Sequence, residues 1–442
     1  MNATVTQGIF GFAGFASLLL LTVCGILTLA VAVRSVHSAR IGIPVALSVF
    51  TSTSLLIVNT AFQPFLSNDQ ATWHQLGVAA ADYLTGASGQ SVDYVAGKEG
   101  YIWLLGGIYA IAGKVPLVPI ALNMLLHALL VITVAKTSVE VSDSFQVSAK
   151  VKARSVRAAA FATAMLPSIV IWVPLLLRES FTMFAISAST LCVIRYSRSR
   201  RFGYLIAAFP LLLSLYWVRD SLALAVLFAL CVGGVFIALR ASKYSVLLRI
   251  ALIAAAVIAF PRLLAILDST IGVNAESVTA TTAELSSIAD SGFSGLGYNA
   301  TLFEVLATTG PRVLFGPFPW EFELTGVMLL AFVEGAIWIV VLVMAARAVL
   351  VGRKFRRVED SAFDDLTVSP ILLIVAAIVL LSLMLSVGNY GILARFRPSA
   401  LVLIIPIASV SYGMWRERSL TGSGTHAEER KRVGASRSGG VK

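Results

Sequence analysis

The sequence predicts an all-α, polytopic membrane protein with about eleven transmembrane helices and further helices on its outer face, on three observations. Hydrophobic residues make up 58% of the chain and charged residues 13%, and the mean hydropathy is +0.87. Such a chain has the bilayer as its solvent. Apolar runs of spanning length recur from residue 10 to residue 415. Finally, one consistent set of inter-span loops, with the C-terminal tail, holds 26 of the 34 lysines and arginines but only 9 of the 23 acids. By the positive-inside rule those loops are cytoplasmic, with the N-terminus outside and the C-terminus inside. The net charge of +11 then reflects topology and gives no support for nucleic-acid binding.

Span 1 covers 10–33; no basic stretch precedes it and no small-residue cleavage site follows, so it is expected to stay as an anchor. Span 2 covers 41–64. The polar segment 65–116 after it carries Asp69, His74, Asp82, Asp93 and Glu99. Within it, 72–84 spaces Trp73, Leu76, Ala80 and Tyr83 for a helix lying flat on the membrane surface. Apolar segment 101–113 has only 13 residues, and as a span it would invert every later loop against the charge bias. It is expected as a re-entrant or interfacial helix, ended by Gly113-Lys114-Val115-Pro116. Spans 3 to 8 follow at 117–135, 156–176, 181–195, 203–217, 221–239 and 246–265. A long outer loop occupies 266–323, and spans 9 to 11 cover 324–346, 368–387 and 398–415. Residues 1–415 are thus one integral membrane domain. The basic, glycine-rich segment 416–442 is expected to be a disordered cytoplasmic tail in reach of anionic lipid. Cys24, Cys192 and Cys231 all fall in apolar spans and imply neither a disulfide framework nor a metal site.

The unusual polar residues gather on the outer side. Asp69 sits just beyond the end of span 2 and His74 is the histidine of that loop; each is either a solvated loop residue or an acid–base group. Arg178-Glu179 and Arg219-Asp220 are adjacent opposite charges at span boundaries. They either neutralise one another at a helix end or hold a phosphate, for which the guanidinium fork is well shaped. Arg395 and Arg397 enter span 11, where arginine is costly unless it meets water or an anion. Trp320, in Gly316-Pro317-Phe318-Pro319-Trp320-Glu321, either anchors a rigid turn at the interface or touches substrate. Asp69 with Asp82 or Asp93 also has the oxygen donors for a divalent cation, Mg or Mn, so metal-dependent and metal-independent chemistry both stay open. His127 and Glu334 lie inside spans, where ionisable groups are functional candidates.

The order of these parts resembles the GT-C group of integral-membrane glycosyltransferases. The matching features are the acid early in the first outer loop (Asp69), the surface helices, the Tyr101-Ile102-Trp103-Leu104-Leu105 helix, the Asn123 span and the segment from Leu166-Pro167 through Trp172 to Leu177-Arg178-Glu179. The similarity covers roughly 60–240. Segments 316–321 and 388–397 also resemble parts of multi-span proteins of bacterial polysaccharide clusters. The chain departs from the GT-C pattern in having Asn68 where many members carry a second acid, and in lacking a large soluble C-terminal domain. The resemblance implies transfer of a sugar from a polyprenyl-phosphate or -diphosphate donor to a glycan or lipid acceptor, on the non-cytoplasmic face of the plasma (inner) membrane. Asp69 and His74 would be the catalytic residues, and Arg178, Glu179, Arg219, Asp220, Arg395, Arg397 and Trp320 the substrate-binding ones. A polysaccharide repeat-unit polymerase or ligase is the alternative, and a non-enzymatic flippase of lipid-linked glycan a further one. The sequence shows no internal repeat of the kind transporters carry.

Overall fold

A computed structural model describes residues 41–417, apart from 63–68, 89–91, 93–97, 240–246, 257, 259–301, 322–325, 357–367 and 387–389, together with scattered positions between 16 and 34. The described residues form helices and no strands. These are α1 (Gly42–Phe62), α2 (Asp69–Leu84), α3 (Glu99–Ala112), α4 (Leu117–Ser144), α5 (Ala149–Met165), α6 (Glu179–Ser199), α7 (Gly203–Val218) and α8 (Asp220–Ala238). After α9 (Leu247–Ala256) come α10 (Leu302–Phe315), α11 (Gly326–Arg356), α12 (Val368–Ser386) and α13 (Tyr390–Phe396), then α14 (Pro398–Glu417). Among the described residues, α1, α4, part of α11 and α14 are long and apolar enough to cross a membrane, and α7, α8, α9 and α12 are shorter apolar helices. Such helices mark a membrane-embedded protein.

One expected span is differently built. Apolar segment 156–176 is not a single helix: α5 begins at Ala149 and stops at Met165. Leu166 takes extended angles (φ −63°, ψ 122°), as a residue before proline prefers. A one-turn helix, Pro167–Val170, and an irregular stretch then lead to α6. At its start, α5 is capped by the Ser148 hydroxyl, which accepts from the Val151 amide at 3.3 Å, satisfying a donor the first turn leaves unpaired. The tail also begins later than expected, because α14 carries residues 416 and 417; segment 418–442 lies outside the described residues.

The helix α14 runs through the middle of the bundle, 83% buried, whereas α1 is 22% buried and mostly presents apolar side chains outward. Its buried face, from Ala400 to Val410, joins residues of α4, α6, α8 and α12 in the main apolar core. The helices α2 and α3 pack closely as a pair. Their seam is made of small residues: Gly77, Ala80 and Ala81 of α2 are buried, and a Cβ on Gly106 would lie 2.6 Å from the Cβ of Ala80. Small side chains let helix backbones approach. The start of α3 is pressed against the end of α7, where a Cβ on Gly100 would lie 2.4 Å from the Trp217 Cβ.

Candidate functional site

The irregular stretch between α5 and α6 is held from two sides. Asn123 of α4 donates to the carbonyls of Leu175 (2.9 Å) and Leu177 (2.8 Å). The Gln70 side-chain oxygen of α2 accepts from the Leu176 amide at 3.0 Å. These bonds satisfy backbone groups that no helix serves, and they fix where Arg178 and Glu179 emerge. Arg178 is 6% exposed and Glu179 3% exposed. Arg178 donates to the carbonyl of Val218 at 3.1 Å and lies 5.6 Å from the centre of the Trp73 ring. Its Nε has no hydrogen-bond partner among the described residues.

Arg395, at the end of α13, joins three elements. Its Nε donates to Glu179 Oε1 at 2.5 Å and its Nη1 to Asp69 Oδ2 at 2.6 Å. The Asp69 side chain is 66% exposed while Arg395 is 15% exposed, so the carboxylate stands between the buried cation and solvent. Arg219 lies over Phe396, its Cζ 3.6 Å from the ring centre; its amide donates to the Leu215 carbonyl, but its side chain makes no hydrogen bond among the described residues. The side chain of Lys98, just before α3, likewise makes none among them. Burial, with the neighbouring guanidinium of Arg178 next, pushes Arg219 down to about 9. Burial, then Arg178, Arg219 and Arg395, pushes Lys98 down to about 8, although Asp69 acts in the opposite sense. Cations whose pKa falls because of other cations mark a site with surplus positive potential. Burial and the Glu179 carboxylate hold the Tyr101 phenol protonated nearby. Asp220 Oδ1 accepts from the Ser221 amide at 2.5 Å, at the head of α8.

Asp69, Arg178, Glu179, Arg219, Asp220 and Arg395 are thus brought to one place, with Lys98 added. Other expected members are not. His74 is turned onto α3, its Nδ1 3.0 Å from the Tyr109 hydroxyl, and burial lowers its pKa. It lies about 140° around α2 from Asp69, at 100° per residue. Arg397 was expected to face a substrate anion but points into the protein. It is fully buried, donating to the carbonyls of Gly316 (3.0 Å) and Arg312 (3.2 Å), with Glu334 at 3.5 Å. Burying a lone guanidinium is expensive, and those oxygens supply the compensation that a ligand was expected to give. Trp320 stands outside the 316–321 turn, 79% exposed and stacked on Phe318. That turn is closed by Glu321, which accepts from Arg312 at 2.8 Å and from the Phe318 amide at 3.1 Å.

The expected metal pair fails on distance. Asp69 opens α2 and Asp82 is near its end, roughly 20 Å apart at 1.5 Å per residue, and Asp82 is paired with Lys114 at 2.6 Å. Asp93 lies outside the described residues. Among the described residues, no group of three or more His, Cys, Asp or Glu side chains could hold a metal ion.

Lys98 is not among the residues that the sequence singles out; only the packing of α3 against α7 brings it to the arginines. The aromatic between Arg395 and Arg397 was the available signal for Phe396 as a stacking platform. No protein-family model, curated protein or solved structure matches this chain.

Proposed function

We propose that the chain is a membrane glycosyltransferase of cell-envelope polysaccharide assembly, GT-C-like in plan, with about eleven spans in the plasma membrane. It transfers a sugar from a polyprenyl-phosphate or -diphosphate donor to a glycan or lipid acceptor on the non-cytoplasmic face. One observation carries this reading: the side chains of Arg219 and Lys98 add positive charge without a hydrogen-bond partner among the described residues, beside the exposed carboxylate of Asp69. An acid, a set of partly buried cations and a membrane boundary are what a lipid-linked phosphate donor needs.

The donor phosphate would sit on Arg219, Lys98 and Arg395, with its lipid tail among the spans. Arg395 is then contested: the phosphate competes with Asp69 for the same guanidinium. Displacement leaves the Asp69 carboxylate available to accept the proton of an acceptor hydroxyl as its oxygen bonds to the anomeric carbon. The sugar–phosphate C–O bond breaks, its electron pair leaves with the phosphate oxygen, and the guanidiniums stabilise that growing charge in a poorly screened site. Donor binding thereby switches on the base. Glu179 keeps Arg395 in place throughout, and no metal ion is required by this sequence of steps.

The intramembrane groups that favour a transporter are tied within the protein. Glu334 meets Arg397, and His127 Nε2 lies 3.0 Å from the Thr163 carbonyl. A polymerase or ligase would use the same cations, and product length separates it from a single-sugar transferase.

The test is the lipid-linked saccharide profile, read by mass spectrometry, of cells carrying wild type, Asp69→Asn or Arg395→Lys in place of the native gene. Asp69→Asn should accumulate the unextended acceptor and show unchanged detergent melting. Arg395→Lys keeps the charge and loses the fork, and should lower product about ten- to a hundredfold. Normal product from Asp69→Asn would remove the general-base role.

A further inference from the structure

At the other end of the bundle a cavity of about 610 Å³ opens between α5, α11 and α14. Arg416, near the end of α14, is 19 residues beyond Arg397, the residue before that helix, roughly 28 Å at the helical rise. That is close to the thickness of the hydrocarbon core, so the cavity lies at the membrane boundary opposite the Asp69 cluster. Its composition is divided. Arg154 and Arg157, in the first turns of α5, and Arg416, in the last turn of α14, line it at the helix ends, whereas Phe161, Met344 and Ile405 line it further along α5, α11 and α14. From Arg416 to Ile405 is roughly 16 Å along α14, about half the hydrocarbon thickness and so the depth of one leaflet. The wall continues to the lipid-facing flank of α11, where Val340 and Val343 are 57% and 61% exposed.

The Arg154 guanidinium is incompletely bonded where it rests: its buried Nη1 has no hydrogen-bond partner among the described residues, so turning it to an anion at the helix end loses no bond there. A buried guanidinium nitrogen left this way is costly. The segment 418–442 is a poor occupant, because it is itself basic, with six lysines and arginines against two acids.

We propose that this slot is a binding site for one anionic phospholipid. The headgroup phosphate sits on Arg154, Arg157 and Arg416, and an acyl chain lies against Phe161, Met344 and Ile405. A guanidinium cluster suits a phosphate diester, and an apolar trench one leaflet deep suits the chain that the headgroup carries. The site is separate from the sugar-transfer cluster. Only the choice of leaflet, the cytoplasmic one, rests on the orientation proposed above.

The experiment is native mass spectrometry of the full-length protein in detergent, titrated with dioleoylphosphatidylglycerol, dioleoylphosphatidylcholine or inorganic phosphate. Wild type should retain one phosphatidylglycerol about tenfold or more tightly than phosphatidylcholine, as expected for losing ionic hydrogen bonds, and inorganic phosphate should not displace it. Arg154→Ala with Arg416→Ala should bring phosphatidylglycerol to the phosphatidylcholine level. Ala158→Trp fills the slot and leaves all three arginines in place, and should weaken phosphatidylglycerol to the same extent. It carries the test alone if the arginine variant does not fold. Equal retention of the two lipids by wild type overturns the proposal, as does unchanged phosphatidylglycerol binding in Ala158→Trp. Displacement by inorganic phosphate also overturns it, since the site would then take a free anion. Loss of glycan product in Asp69→Asn has no bearing on any of these readings.

Discussion

The charge of Lys98 depends strongly on its surroundings. Arg178, Arg219 and Arg395 face it from α6, the α7–α8 junction and α13, and Asp69 faces it from α2. With burial they bring it to about 8, far below the ordinary lysine value of about 10.4. An anion bound beside it restores the charged form, so proton and anion uptake are coupled. Because the empty site loses its Lys98 proton as pH rises through about 8, anion affinity should fall as pH rises from about 7.5 to 8.5. Titrating purified protein with a polyprenyl-phosphate analogue across that range tests this. Lys98→Met should bind more weakly at the lower pH and show a flat profile. An equally steep profile in Lys98→Met would assign the titration to another group. The same coupling runs the other way for the empty protein. Between about 8 and 10.4 the unfolded chain holds more protons on this lysine, so its contribution to stability improves with rising pH.

At the scale of elements, the site depends on how closely α2 and α3 approach. The seam brings Asp69 on α2 and Lys98 ahead of α3 to the same place, and it tolerates nothing larger than glycine at residue 106. A Cβ there would lie 2.6 Å from that of Ala80, whereas one on neighbouring Gly107 meets nothing within 4 Å. Gly106→Ala should therefore force the helices apart, costing about 1–3 kcal/mol as overpacking does, and displace Asp69. Gly107→Ala should be neutral or stabilise by up to about 1 kcal/mol through helix propensity. Detergent melting with product assay on the pair checks this, and similar losses in both would show that the seam is not what positions the site.

For the whole molecule, the bundle has two chemically different ends, and the proposed orientation follows the charge bias. Acids and partly buried cations gather at the Asp69 end, and three arginines line a cavity at the other. The orientation predicts that, in a cysteine-free background and intact cells, Ala87→Cys reacts with a membrane-impermeant thiol reagent and Lys150→Cys does not. Reaction at Lys150→Cys alone would invert the protein and place the Asp69 cluster in the cytoplasm.

The helices themselves were legible because hydrophobicity and length are local properties. The predicted runs 41–64, 203–217, 221–239 and 368–387 match α1, α7, α8 and α12 to within a few residues. The helical segments 72–84 and 101–113 correspond to α2 and α3. Where a run of apolar residues crosses Leu166-Pro167, composition alone joined what the backbone separates, since proline's effect on the preceding residue is steric. Asp69 was legible from its place just beyond a span, Arg178 and Arg219 as halves of adjacent opposite-charge pairs, and Arg395 as a charge that is costly at the start of a span. Which of the candidates share a site was not. Arg395 and Arg397 are two residues apart in sequence, yet one joins Asp69 and Glu179 while the other is sealed against Glu334 and two backbone carbonyls. Side-chain composition fixed that both needed a counter-charge or a polar partner. Only the packing of α6, α11 and the 316–321 turn around them decided which partner each has, because those groups come from parts of the chain tens to hundreds of residues away.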